Sequence, residues 1–352
     1  MNNIIPITFD KVNLQDPFFQ SLREDYDGFD DWFKRKKSQD AFVQYDDDGS
    51  VIGFLYLKLE EKIVDDVEPN IVADKILKVG TFKIDAHGTK MGEQFIKIIL
   101  DYAVDECADV CYVTIFEKHS NLIKLVQQFG FEYHGTKELG TNKESVYVKQ
   151  MNVVTGNVNK DFPLINISNV KKYLLGIYPQ YHSVMFPDSI LNNENKNIIT
   201  DVSYTNSIHK IYVCSIEQVD RLKYGDVVIL YRTKEDGKSA YYSSVVTSIC
   251  VVEEVKNQND FLSFDEFYEY ASKYSVFDRN ELFRWYKKGK CRTIHMTYNA
   301  AFNKRIIRRD LIEKVGLDEN QYWGFFELTD YQFEMITHLG GVRASLIKNN
   351  QL

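Results

Sequence analysis

Residues 76–103 read ILKVGTFKIDAHGTKMGEQFIKIILDYA, and the pattern changes character twice within them. An apolar, β-branched run ends near Asp85, and a short segment then carries Gly88 and Gly92. After it, Phe95, Ile96, Ile98, Ile99 and Leu100 are set against Glu93, Gln94, Lys97 and Asp101 with the 3.6-residue period of an amphipathic helix. The stretch predicts a strand, a tight loop and a helix. Such a loop leaves several backbone N–H groups unpaired at the helix start, all pointing the same way, where the helix dipole also favours negative charge. A phosphate or pyrophosphate suits that corner.

Working outward, residues 110–116 (VCYVTIF) read as a second buried strand, and residues 119–131 (HSNLIKLVQQFGF) as a short helix closed by Gly130. Upstream, residues 41–44 and 51–59 predict a hairpin across Asp46-Asp47-Asp48-Gly49. Residues 59–76 read as a loop or an extension of that hairpin. Residues 4–12 predict a first strand, and residues 18–37 a helical region interrupted at Gly28. Its Phe18, Phe19, Leu22, Tyr26, Phe29, Trp32 and Phe33 recur at helical spacing and are expected in a core, with Asp25, Asp27, Asp30 and Asp31 on a solvated face. Residues 145–151 supply the last strand of this half.

Set in that order of elements, His87-Gly88-Thr89-Lys90-Met91-Gly92 resembles the acyl-CoA pyrophosphate loop of GNAT-type N-acetyltransferases: Arg or Gln, two residues, Gly, one residue, then Gly or Ala. His87 stands where Arg or Gln is usual, Lys90 stands at the first glycine, and Gly92 fills the last position. The resemblance implies acetyl-CoA as acyl donor, held by His87, Gly88, Thr89, Lys90, Met91 and Gly92. Main-chain contacts would come from Phe82 and Ile84, where the strand splays from its neighbour at a bulge. Acetyl transfer needs a neutral acceptor amine, a polarised thioester and a proton for the departing thiolate. The tyrosine that often supplies this proton is replaced by Val126. His119, at a position usually occupied by Asn, and Tyr133 become the candidate catalytic residues, with His134 and Asp85 nearby in sequence. Positioning of the reactants alone is the other route to rate.

The 352 residues carry 43 Lys and Arg against 51 Asp and Glu, a net charge of −8 that argues against nonspecific polyanion binding by the whole molecule. Length allows two domains. The amino terminus lacks a signal-peptide pattern and no apolar run is long enough for a bilayer, so a cytoplasmic protein with no membrane partner is expected. Cys107, Cys111, Cys214, Cys250 and Cys291 are odd in number and mostly embedded in apolar strands, which suits buried thiols. Cys107 and Cys111 have no second pair at ligand spacing, so no metal is expected.

Residues 152–161 (NVVTGNVNKD) mix Gly, Asn and charge between two periodic regions and mark a linker between domains at 1–151 and 162–352. Beyond it, residues 207–216 predict a strand, Leu222-Lys223-Tyr224-Gly225-Asp226 turns into VVILYRT, and residues 240–255 form a long hairpin partner. Within residues 171–193, Tyr178-Pro179, Tyr181-His182 and Phe186-Pro187-Asp188 read as a structured extended segment with a helix or turn. The Gly-Asp before an apolar strand, the helical insert FLSFDEFYEYASKY and closing strands near 294–298 and 322–328 resemble the PUA-like barrels, including ASCH and EVE domains. The expected fold class is thus α+β: a GNAT mixed sheet flanked by helices, then a small PUA-like β-barrel with helical inserts.

PUA-like barrels commonly bind RNA, and Arg284, Lys287, Lys288, Arg308 and Arg309, interleaved with Trp285, Tyr286, His295 and Tyr298, are candidate nucleic-acid contacts. Two functions remain open. One is an acyl-CoA-dependent N-acyltransferase whose amine acceptor is selected or presented by the second domain, with RNA as a candidate partner. The other is a non-catalytic acyl-CoA sensor with a nucleic-acid-binding barrel.

Overall fold

In the computed structural model, residues 4–85, 90–140, 142–186 and 207–349 are described, and the chain divides into two compact units, Met1–Met151 and Asn152–Leu352. The first unit runs β1 (Ile5–Thr8), α1 (Gln20–Asp25), α2 (Phe29–Arg35), β2 (Asp40–Tyr45), β3 (Val51–Val64), β4 (Ile71–Ile84), α3 (Met91–Asp105), β5 (Val110–Ile115), α4 (Ser120–Gln128), β6 (Glu132–Leu139) and β7 (Asn142–Gln150). Its seven strands lie in the order β1-β2-β3-β4-β5-β7-β6. All neighbours are antiparallel except β4 and β5, which are parallel because α3 crosses between them.

Residues 59–76 extend the hairpin: β3 pairs with β4 from Gly53↔Ile84 to Val64↔Ile71. The end of this ribbon reaches β6, where Glu68 and Thr136 exchange backbone hydrogen bonds of 2.8 and 2.9 Å. That rung needs Gly135, since a Cβ there would lie 2.1 Å from the Glu68 carbonyl oxygen. The aromatic stripe of residues 18–33 is core, with Phe18, Phe19, Phe29 and Phe33 packed on Phe9, Val43 and Phe54. α4 ends at Gly130, whose φ of 84° is the left-handed conformation expected of a helix stop.

The second unit contains α5 (Val158–Asp161), β8 (Ile165–Asn166), β9 (Lys172–Ile177), α6 (Pro179–Met185), β10 (His209–Cys214), β11 (Val227–Arg232), α7 (Ala240–Ser243), β12 (Val245–Asn257), α8 (Phe264–Ser272), α9 (Arg279–Lys287), β13 (Arg292–Ile307), α10 (Arg308–Glu313), β14 (Phe325–Leu328), α11 (Asp330–Leu339) and β15 (Ile347–Lys348). Six strands form a sheet in the order β10-β13-β12-β11-β9-β14, with one apolar cluster around Leu174, Ile229 and Phe333 and a second around Leu175, Leu230 and Met296. Leu174 and Leu175, like Ile229 and Leu230, alternate between these clusters, as successive strand residues must. The outer strands β10 and β14 have no ladder between them among the described residues.

Two local expectations change. The extended segment before α6 contains β9, an interior strand buried at all six positions and paired in parallel with β11. Residues 240–243, expected in a strand, form the helical turn α7, where the Ser243 hydroxyl donates to the Ser239 carbonyl at 2.7 Å. Such local hydroxyl bonds compete with a sheet ladder.

The long pair β12–β13 bends at three irregularities, and a polar side chain stands at each. Thr247 bonds the buried His182 at 2.7 Å, Asn299 donates to the carbonyls of Pro163 and Leu164 at 3.3 and 3.2 Å, and Glu253 faces two histidines.

Candidate acyl-CoA site

β4 and β5 are paired only from Ile76↔Val110 to Val79↔Val113. Beyond Val79, β4 keeps β3 as its partner through Ile84, but Gly80 falls between the pairs Leu57↔Val79 and Tyr56↔Thr81 and has no partner of its own. This is a bulge, and after it the two parallel strands part. A side chain at Gly80 would be forced onto the Tyr56 ring, 2.8 Å from its Cδ1.

α3 begins at this parting. Phe95 packs on Phe82 with ring centroids 5.8 Å apart, and a Cβ on Gly53, the ladder partner of Ile84, would lie 2.6 Å from the Phe95 ring. The amphipathic pattern read in the sequence buries Phe95, Ile96, Ile99 and Leu100. Gly92 sits in the first turn, where a Cβ would meet Leu125 of α4 at 2.7 Å, so its lack of a side chain lets the two helices approach. Of the expected cofactor contacts, Lys90, Met91 and Gly92 stand at the start of α3, with Lys90 at its N-cap and Met91 buried; Phe82 and Ile84 lie on β4 beyond the bulge. His87, Gly88 and Thr89 lie outside the described residues.

His119 and Tyr133 stand beyond opposite ends of α4. His119 is the N-cap of α4 but makes no side-chain cap; its Nε2 lies 3.5 Å from Asp25 Oδ2, while Lys118 pairs with the other oxygen. Tyr133 is on β6, well exposed, with its ring against Tyr147 at 6.0 Å. Val126, at the position of the usual tyrosine, is buried.

The sequence reading misplaced one acidic group here and did not name another. Asp25, expected on a solvated face, has a side chain only 10% exposed because α1 brings it against Lys118 and His119. Tyr26 donates to the buried Glu144 at 2.6 Å and stacks near Phe116 with centroids 5.3 Å apart. Burial, and then the negative charge and hydrogen bond of Glu144, push the Tyr26 hydroxyl far above its ordinary pKa, so it stays a neutral donor. These partners are 118 positions apart, a contact no local periodicity encodes.

In the second unit the expected nucleic-acid residues fall on two elements separated by the 16-residue β13. Arg284, Lys287 and Lys288 belong to α9 and its C-cap, with Lys288 over the Trp285 ring at 4.7 Å. Arg308 and Arg309 open α10. Arg308 lies 4.3 Å over the Trp323 ring and donates to the Glu319 carbonyl, and Arg309 pairs with Asp310 and Glu313. Much of the charge on α10 is therefore compensated locally.

Among the described residues, His209, Glu253 and His295 form a group able to hold a metal ion, their candidate donor atoms all within 4.8 Å of one another. Burial raises the Glu253 carboxyl, but the hydrogen bond from His209, the neighbouring His295 and the Asn159 amide outweigh it and hold the group below its usual range. The cysteine spacing gave no sign of this cluster. No helix among the described residues is long and apolar enough to cross a membrane.

A mixed sheet in which parallel strands part beside a helix start is the arrangement the GNAT resemblance calls for, and the chain is α+β in class, similar to GNAT acetyltransferases and to ASCH-domain proteins. A curated protein of Bacillus subtilis subsp. natto (strain BEST195), named "Probable spermine N(1)-acetyltransferase", is 30% identical over 109 residues, 30% of this chain and 66% of that protein. The chain thus spans just under two thirds of that relative's length. Among solved structures, Arabidopsis thaliana NAA60 in complex with acetyl-CoA is 14% identical with a TM-score of 0.32, covering 42% of this chain and 99% of that one. ASCH from Zymomonas mobilis is 8% identical with a TM-score of 0.32, covering 48% and 95%. No protein-family model matches the chain.

Proposed function

We propose that the first unit is an acyl-CoA-dependent N-acyltransferase that uses acetyl-CoA and passes the acetyl group to an amine. The observation that carries this reading is the parting of β4 and β5 after Gly80 beside the first turn of α3. Unpaired strand edge can bond an extended amide chain such as pantetheine, and the helix start offers N–H groups to a pyrophosphate. The name of the curated relative supports a cationic amine as acceptor, and Asp25 provides a carboxylate of the right sign. His119, held by Asp25, is the candidate proton donor to the leaving thiolate, and Tyr133 the second candidate. The second unit selects or presents the acceptor, with RNA the proposed polymer partner.

Calorimetry with acetyl-CoA tests the first step, and thiol release with spermine, other amines and RNA tests the second. Binding of acetyl-CoA is expected for the wild type and lost in Gly92→Glu; a wild type that binds none removes this function. The buried Val126, which has no proton to give, favours a second reading, an acyl-CoA sensor without turnover. Binding without thiol release from any acceptor would establish that one instead. For RNA, a salt-dependent gel shift is expected to weaken when Lys287 and Lys288, or Arg308 and Arg309, are reversed to Glu. A shift unchanged by both reversals would place the contact elsewhere.

A further inference from the structure

We infer that His209, Glu253 and His295 form a binding site for one zinc-class divalent cation in the second unit. The three residues are far apart in sequence and meet through strand register. His209 of β10 stands opposite Thr297 of β13, and Ile211 opposite His295, so the two histidines are diagonal neighbours on one face of the sheet. Glu253 comes from β12. The ladder pairs Val252 with Met296 and Glu254 with His295, leaving Glu253 as the extra residue of a bulge, and a bulge redirects a side chain that regular alternation would send elsewhere.

The distances suit a small cation. Glu253 Oε2 lies 3.5 Å from His209 Nε2 and 3.1 Å from His295 Nε2. Metal bonds of about 2.0–2.2 Å at near-tetrahedral angles separate donor atoms by roughly 3.3–3.6 Å, close to the spacing found before any ion is added. The surroundings hold the donors in place. Asn159 of α5 donates from Nδ2 to Glu253 Oε1 at 2.8 Å and accepts at Oδ1 from His209 Nε2 at 2.7 Å, a proton that His209 gives up, as a metal ligand must, when that nitrogen takes the ion. Tyr274 stacks on His295 with centroids 5.5 Å apart and an interplanar angle of 18°. A carboxylate oriented by a neighbouring amide and an imidazole fixed by a packed ring are the outer supports that metal sites use.

The donor set selects the cation class. Two imidazoles and one carboxylate suit Zn²⁺, Co²⁺ or Ni²⁺, whereas Mg²⁺ and Ca²⁺ require mainly oxygen donors, and a site without thiolate is poor for Cu⁺. Three protein ligands leave a further coordination position. The donor atoms Glu253 Oε2 and His295 Nε2 are themselves buried, so an ion held there is shielded from solvent.

The test uses the full chain, stripped with a chelator and then exposed to Co²⁺ or Zn²⁺. About one equivalent per chain should remain after desalting, Co²⁺ should give the visible absorption of a low-coordinate site, and the melting temperature should rise. Glu253→Gln, which keeps the side chain's shape, and His295→Gln should each weaken binding at least tenfold, and Asn159→Ala by about tenfold. Circular dichroism and urea unfolding of the metal-free variants report folding separately. Excess Mg²⁺ should not displace the bound ion. A folded wild type that retains no Co²⁺ or Zn²⁺, or binding undiminished in both Glu253→Gln and His295→Gln, overturns the assignment and leaves the cluster as a hydrogen-bonded carboxylate between two histidines.

Discussion

Both units interrupt a ladder with a bulge, and the residue at the interruption decides what the bulge offers. In the first unit it is Gly80, which has no side chain, and the strand beside it loses its parallel neighbour. In the second unit Thr247, Glu253 and Asn299 stand at the irregularities of β12–β13; the strands stay paired and polar side chains are delivered inward. A glycine bulge thus exposes backbone, whereas a polar bulge supplies a ligand or a buried hydrogen bond. The same irregularity parts two strands in one sheet and fixes polar side chains in the other.

The contrast is most strongly broken at the start of α3. Gly92→Glu adds a negative charge to the first turn of α3, whose N–H groups are proposed to hold a pyrophosphate, and drives its Cβ into Leu125. A loss of about 100-fold in acetyl-CoA affinity, about 3 kcal/mol by calorimetry, is expected. Because the clash alone could loosen α3 against α4, Gly92→Ala is the companion variant, and it should lose far less affinity if charge is the main cause.

Next in size is Tyr26→Phe, which leaves the buried Glu144 without this hydroxyl donor. Urea unfolding should show the first unit destabilised by about 1–3 kcal/mol, the usual cost of a buried acceptor that loses its partner. A change below about 0.5 kcal/mol would mean water reaches the carboxylate.

The second unit carries a proton-linked counterpart. Burial, and then the charges of Arg232 and Arg305, hold His182 down to about 3 against an ordinary value of 6.5. Its folded pKa is depressed, so the unfolded chain takes up the proton first. The stabilisation is complete above pH 6.5 and is lost as pH falls toward 3, with a slope of up to about 1.4 kcal/mol per pH unit. Urea titrations at pH 7, 5 and 4 should show this dependence, and His182→Gln should remove its share of the slope. The smallest effect is expected at Asp265→Ala, which deletes an exposed ion pair with Arg279 and should cost under about 0.5 kcal/mol.

What could be read from the chain divides along the same line. Helix α3 announces itself because one face of consecutive residues must be apolar, and the stop after α4 because glycine best accepts a left-handed turn. The parting of β4 from β5 could be anticipated through resemblance alone, since Gly80 in isolation looks like any strand glycine. β9 was obscured because a strand buried on both faces has no alternation to display. The pairs Tyr26–Glu144 and His209–Glu253–His295 were invisible for a different reason: strand register and chain crossings assemble them, and neither leaves a short-range signature. Asp25 was misread because solvation was inferred from the run of aspartates it shares with Asp27, Asp30 and Asp31, whereas its cover comes from Lys118 and His119.

The rung between Glu68 and Thr136 bears on how the first sheet avoids other molecules. β6 is the outermost strand on its side and would otherwise present open amide and carbonyl groups along its free edge. The end of the β3–β4 ribbon occupies that edge at one point, and Gly135 lets it come close enough to do so. Shortening the ribbon would free that one rung and lengthen the open edge of β6, the kind of edge to which another strand can add.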